Sequence, residues 1–147
     1  MYVWTASVLL AAVCAAWRPV GGDVYTHTGV AAAVHAALQI AGLLFIVRAV
    51  ARIDALELAG IRGATAPVGL QVDGVYRVVR HPVYLGWVLI VFGAAHLTGD
   101  RLTFAIVTTL YLVVAVPWEE RALLQSFGGA YAAYQRQVRW RIVPYVY

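Results

Sequence analysis

Residues 83–118 read VYLGWVLIVFGAAHLT, then GDR, then LTFAIVTTLYLVVAVPW, and the reading of this stretch decides the fold. Val83–Thr98 and Leu102–Trp118 contain no acid and no arginine. Each approaches the ~20 residues a helix needs to cross a bilayer, the first being short at ~24 Å by helical rise. Only Gly99-Asp100-Arg101 separates them, which predicts an antiparallel helical hairpin. Working outward, Met1–Trp17 and Gly29–Val47 are two further charge-free apolar runs. An arginine at the centre of a span would cost about 2.5 to 3.5 kcal/mol, so four clean runs are informative. The expectation is an all-α, multi-pass membrane protein with four transmembrane helices (about 1–17, 29–47, 83–98 and 102–118) and interfacial helices on the cytoplasmic face. The whole of 1–147 is read as one domain.

Composition agrees. The chain has 147 residues, 63% hydrophobic and 12% charged, with mean hydropathy +0.77. A water-soluble domain this small has too much surface to hide that much apolar area. All eleven basic residues are arginine, so lysine-dependent chemistry is excluded. The +4 net charge is scattered along an apolar chain rather than clustered as phosphate recognition needs, so no nucleic acid is expected. Cys14 is the single cysteine and forms no intrachain disulfide. Met1–Trp17 lacks a basic n-region, and Val13 spoils a lipoprotein box at Cys14, so this run reads as a retained membrane helix.

Arginine placement predicts orientation. Arg48, Arg52, Arg62, Arg77, Arg80, Arg121, Arg136, Arg139 and Arg141 fall at one end of the spans, and only Arg18 and Arg101 at the other. The positive-inside rule then puts both termini in the cytoplasm, in a multi-pass protein of the cell membrane (the inner membrane in a bacterium). Ile53, Leu56, Leu58 and Ile61, interleaved with Asp54, Glu57 and Arg62, read as an interfacial helix broken by Gly60, Gly63, Pro67 and Gly69. Leu123, Leu124, Phe127, Tyr131, Tyr134 and Val138 form one apolar stripe, interrupted by a turn at Gly128-Gly129. Trp140, Pro144, Tyr145 and Tyr147 look like interface anchors.

Two runs carry chemistry. In Gly74-Val75-Tyr76-Arg77-Val78-Val79-Arg80-His81-Pro82-Val83-Tyr84-Leu85-Gly86, Pro82 holds His81 extended and opens a helix. The amides of Val83, Tyr84 and Leu85 would then offer a carboxylate or phosphate site. The bland alternative is that Arg77, Arg80 and His81 only set topology. In Trp118-Glu119-Glu120-Arg121, Pro117 should kink the helix. The two glutamates point ~100° apart, so one faces a pocket and the other meets Arg121 or solvent. A carboxylate beside Trp118 and tyrosines suits a cationic ligand, and a solvated helix end is the alternative. His35 and Gln39 share a helical face, as ligand-path residues or interhelical hydrogen-bond partners. His27, His35, His81 and His96 show no metal-ligand spacing, and no metal is expected.

The 74–86 run, Glu119-Glu120-Arg121 through Tyr134 about thirty residues further on, and Ile142-Val143-Pro144 together resemble the isoprenylcysteine carboxyl methyltransferase and phospholipid methyltransferase superfamily. The resemblance covers roughly 53–147. It implies an integral-membrane enzyme that uses S-adenosylmethionine and methylates a small hydrophobic, thiol or lipid-like acceptor. It implies that Tyr76, His81, Pro82, Val83, Tyr84 and Glu119 contact the cofactor, within regions of about 71–86 and 115–134. The helix-start amides would take the cofactor's carboxylate, and Glu119 its positive charge. Members that methylate a prenylcysteine carboxylate carry an arginine four residues before that glutamate. Here that position is Ala115, which argues against a carboxylate acceptor. Residues 53–62, the 96–104 stretch and the Glu-Glu-Arg are similar to bacterial methanethiol S-methyltransferases. Methyl transfer itself needs alignment and water exclusion. A thiol must also lose a proton, for which His81 and Tyr84 are candidates. Two other readings are a non-catalytic relative and a small four-helix transporter. All seven acids lie outside the spans, which disfavours proton-coupled transport.

Overall fold

A computed structural model describes residues 8, 11, 12, 14–51 and 69–147. Most of the first expected span and all of the expected interfacial helix at 53–62 lie outside the described residues. In order, the elements are β1 (Asp23–Thr26), α1 (Gly29–Val50), a 3-10 turn (Gly74–Arg77), α2 (Pro82–Phe92), β2 (His96–Thr98), α3 (Gly99–Phe127) and α4 (Gly129–Gln137).

Among the described residues, two helices are long and apolar enough to cross a membrane, α1 with 22 residues and α3 with 29. By helical rise α1 is ~33 Å long, enough for the ~30 Å hydrocarbon core. Its Val30, Val34, Leu38, Ile40, Leu43, Leu44 and Val47 are exposed, as are Ile106, Val107, Leu110 and Val114 of α3. A helix apolar all round with so little of it covered by protein is built for lipid.

The third expected span is corrected. α2 has only 11 residues, ~16 Å, and does not cross a bilayer alone. It stops at Gly93, whose amide caps back to Leu89. The chain then extends into β2, which pairs antiparallel with β1. Among the described residues the fold is therefore mostly helical with one two-stranded sheet rather than all-α. The expected Gly99–Arg101 hairpin turn shifts to 93–98, because Thr98 caps α3 by accepting from the Arg101 amide at 3.3 Å. Asp100 then sits in the first turn, where a negative charge suits the helix dipole. It also accepts from the Trp17 indole at 2.8 Å and the Val20 amide at 2.7 Å. The helix runs on through Pro117 to Phe127.

α1 and α2 pack antiparallel with their backbones in contact. A Cβ on Gly42 would lie 2.6 Å from the Gly86 carbonyl oxygen, and one on Gly86 2.5 Å from the Gly42 oxygen. Small residues at a crossing allow the close approach that holds membrane helices together. One step along the interface, Gln39 donates to the Ile90 carbonyl at 3.1 Å. His35 instead stacks on His27, ring centroids 4.9 Å apart. α2 and α3 are also antiparallel, with the Trp87 indole donating to Thr108 at 3.1 Å. These directions gather Arg48, Arg77, Arg80, Arg121, Arg136, Arg139 and Arg141 at one end and Arg18 and Arg101 at the other.

Candidate functional site

The turn into α2 is made by His81 and Pro82, as the sequence suggests. Pro82 occupies the start of the helix and His81 caps it in a non-helical conformation. The expected trio of free amides is reduced, however, because Tyr84 and Leu85 both donate to the His81 carbonyl at 3.1 Å. Of the three, only Val83 is not committed to that carbonyl. On its other side the segment zips to the C-terminal tail. The Arg80 amide donates to the Trp140 carbonyl at 2.9 Å and the His81 amide to Arg141 at 2.8 Å.

α3 brings Glu119 and Glu120 to this turn, and their divergence on the helix separates their roles. Glu119 accepts from the Tyr84 hydroxyl at 2.7 Å and approaches His81 Nδ1 at 3.2 Å, with its side chain 49% exposed. Glu120 is buried, and its partner is neither Arg121 nor solvent. Arg80 Nε meets Glu120 Oε1 at 2.6 Å, Arg141 Nε lies 3.4 Å from Oε2, and Gln135 donates to Oε2 at 3.3 Å. The same Arg80 donates to the carbonyls of Val138 at 2.7 Å and Arg139 at 3.0 Å. Arg80 is thus a structural residue that ties the turn to the tail.

His81 lies between the two carboxylates. Its Nε2 is 3.5 Å from Glu120 Oε1, a charge contact rather than a hydrogen bond, since Nε2 has no hydrogen-bond partner among the described residues. Burial pulls the imidazole pKa down, but the hydrogen bond to Glu119 and the charges of Glu119 and Glu120 outweigh it and hold the value above that of an ordinary histidine. Burial, and after it the Glu119 charge, raise the Tyr76 phenol. Burial and then Glu120 push Tyr131 up to about 12. These shifts favour the protonated phenols, and the buried Tyr131 hydroxyl has no hydrogen-bond partner among the described residues.

The far wall is the aromatic stripe. Gly128, with φ 52°, turns the chain from α3 into α4, and so Leu123 and Phe127 face the same way as Tyr131 and Tyr134. With Leu70, Tyr76 and Val138 they form one cluster, locked by the Tyr134 hydroxyl donating to the Tyr76 carbonyl at 2.6 Å. Leu124, expected in the stripe, is 37% exposed. Trp118 is also corrected, because it is 61% exposed and faces away from the site.

Between these walls lies a cavity of about 500 Å³, within the range of small-molecule sites. Tyr76, His81, Pro82, Val83, Tyr84 and Glu119 all line it. Sequence reasoning missed the buried Arg80–Glu120 pair, its Gln135 and Arg141 partners, and the tail that completes the turn. The signal for the pair was the second glutamate itself, which had no reason to accompany the first.

Comparison with known proteins bears on this geometry. The profile of the phospholipid methyltransferase family matches residues 30–130. The chain belongs to the phospholipid methyltransferase family. Within that family assignment, methanethiol S-methyltransferase 2 of Bradyrhizobium diazoefficiens is 33% identical over 145 residues, 93% of this chain and 56% of that protein. The methanethiol S-methyltransferase of Crocosphaera subtropica is 29% identical over 154 residues, 99% and 60% of the two. Protein-S-isoprenylcysteine O-methyltransferase B of Arabidopsis thaliana is 32% identical over 72 residues, 47% and 36%. The chain spans 56% and 60% of the lengths of the two methanethiol S-methyltransferases. No solved structure gives a significant match to the chain.

Proposed function

We propose that this protein is an integral-membrane methyltransferase that uses S-adenosylmethionine and acts on a small thiol or lipid-like acceptor, with a small neutral thiol favoured. The observation that carries the reading is the convergence of Tyr76, His81, Pro82, Val83, Tyr84 and Glu119 on one cavity. The donor set fits the cofactor. Glu119, half exposed and facing the cavity, suits its positive charge, and the tyrosine faces suit a cation and a flat ring. The Val83 amide and the His81 cation are the groups available to a carboxylate. When bound, S-adenosylmethionine supplies a methyl group already activated on a sulfonium.

The chain's residues then orient, exclude water and handle one proton. Tyr84 and His81 fix the Glu119 carboxylate from two sides, leaving Glu119 as the unprotonated acceptor of the cluster. The Tyr84 hydroxyl donates rather than accepts here, and the neighbouring carboxylates favour the protonated form of His81. A thiol acceptor must lose its proton, and of the groups lining the cavity the neutral form of His81, a stronger base than the Glu119 carboxylate, would take it. A carboxylate acceptor would meet Glu119 with no free arginine to oppose it, since Arg80 is committed to Glu120 and position 115 is alanine. The names of the methanethiol S-methyltransferase relatives support the thiol. The arginine-rich end, with the cavity, is read as cytoplasmic, and both termini with it.

Labelled methyl transfer from S-adenosylmethionine into methanethiol, a prenylated cysteine analogue and phosphatidylethanolamine tests this reading. Transfer to the thiol is expected. Transfer only to the prenylated cysteine would overturn the acceptor assignment, and transfer to none by folded protein would favour a non-catalytic relative.

A further inference from the structure

A second cavity, of about 550 Å³, lies on the other side of the C-terminal tail and does not share a lining residue with the first. Its wall includes Arg77, Arg139, Trp140, Pro144 and Tyr145. Arg139 lends its carbonyl to Arg80, but its guanidinium has no hydrogen bond or ion pair among the described residues. Among the described residues Arg77 is held only by Asp73, at 2.8 Å in an exposed pair with 73% and 61% of the two side chains accessible. Such a pair is weak and exchanges readily for another anion.

The tail is folded to present this groove. The amides of Arg141, Ile142 and Val143 all donate to the Tyr147 main-chain oxygen, at 2.9, 2.9 and 3.1 Å. That closed turn forces Tyr145 to φ 64°, the single non-glycine positive φ among the described residues, a conformation that side chains rarely adopt. It sets the Tyr145 ring against Trp140, centroids 5.1 Å apart. Val78, Tyr145 and Val146 leave apolar surface exposed around the groove, Tyr145 by 87%. Two cations beneath an aromatic and apolar rim, at the end where the membrane helices emerge, match a lipid headgroup better than a free anion.

We propose that this groove binds the phosphate of an anionic phospholipid, with Arg77 and Arg139 as its cationic contacts and Trp140 and Tyr145 packing on the glycerol region. The site is separate from the methyl-transfer cavity and does not depend on that reading.

Native mass spectrometry of the full chain in detergent, titrated with phosphatidylglycerol or with phosphatidylcholine of the same acyl chains, tests it. Phosphatidylglycerol is expected to be retained more tightly. Arg139→Gln and Arg77→Gln should each weaken that retention about fivefold. Arg121→Gln, at the same end but outside the groove, should not. If Arg77→Gln disturbs its local turn, Arg139→Gln alone decides. Equal retention of the two lipids, or equal loss in Arg121→Gln and Arg139→Gln, would overturn the proposal. Displacement of the lipid by excess inorganic phosphate would assign the groove to free phosphate and overturn it as well.

Discussion

Arg80 and Glu120, forty positions apart, form an ion pair of 2.6 Å with side chains only 7% and 6% exposed. The pair fastens α3 to the turn that opens α2, and through the Val138 and Arg139 carbonyls it also fastens the tail. Its neighbours on the chain, His81 and Glu119, face the cavity.

Removing one partner of a buried pair strands the other charge. Arg80→Met should therefore destabilise the protein by about 3–5 kcal/mol. The double variant Arg80→Met with Glu120→Leu should cost less than the sum of the two single changes. Thermal unfolding in detergent measures both, and additivity would show that the pair is not coupled.

His81 makes stability depend on pH. Its folded pKa lies above the unfolded value of about 6.5. Its contribution is therefore fully present below pH ~6.5 and is lost as pH rises through the folded pKa. The melting temperature should fall across that window, and His81→Gln should flatten the fall. An unchanged profile in His81→Gln would place the titration elsewhere.

The Gly42–Gly86 crossing leaves no room for a methyl group. Gly86→Ala should separate α1 from α2, destabilising by about 1–3 kcal/mol, and shift the His81–Tyr84 turn. Gly129→Ala, where a Cβ meets nothing within 4 Å, should be neutral. Paired melting curves check the contrast.

Much of this was legible in the sequence, for identifiable reasons. Charge-free runs gave α1 and the apolar part of α3, and the three- and four-residue spacing of Leu123, Phe127, Tyr131 and Tyr134 gave the cavity wall. Pro82 gave the start of α2. The end of α2 was not legible, because Gly93-Ala94-Ala95 is as apolar as a helix. What ends it is the pairing of His96–Thr98 with Asp23–Thr26, a long-range contact that periodicity does not report. The helix-start amides were overcounted because the His81 carbonyl reaches back to two of them. Glu120 looked like a solvated neighbour of Arg121, and only the fold brings Arg80 to it.

Trp118 tests the corrected geometry. Since it faces away from the cavity, Trp118→Ala should leave affinity for S-adenosylmethionine within about twofold of the parent, whereas a tryptophan forming a cation–π contact would cost more. Equilibrium binding of the two proteins decides between them.

The central claim is that the cavity between α2, α3 and α4 holds S-adenosylmethionine through Glu119. Isothermal titration of the detergent-purified full chain with S-adenosylmethionine and its demethylated product measures it most directly. The account predicts saturable binding of one equivalent, weakened tenfold or more by Glu119→Gln with the fold retained. Folded parent protein that binds neither compound, or a Glu119→Gln variant that binds as tightly as the parent, would contradict it.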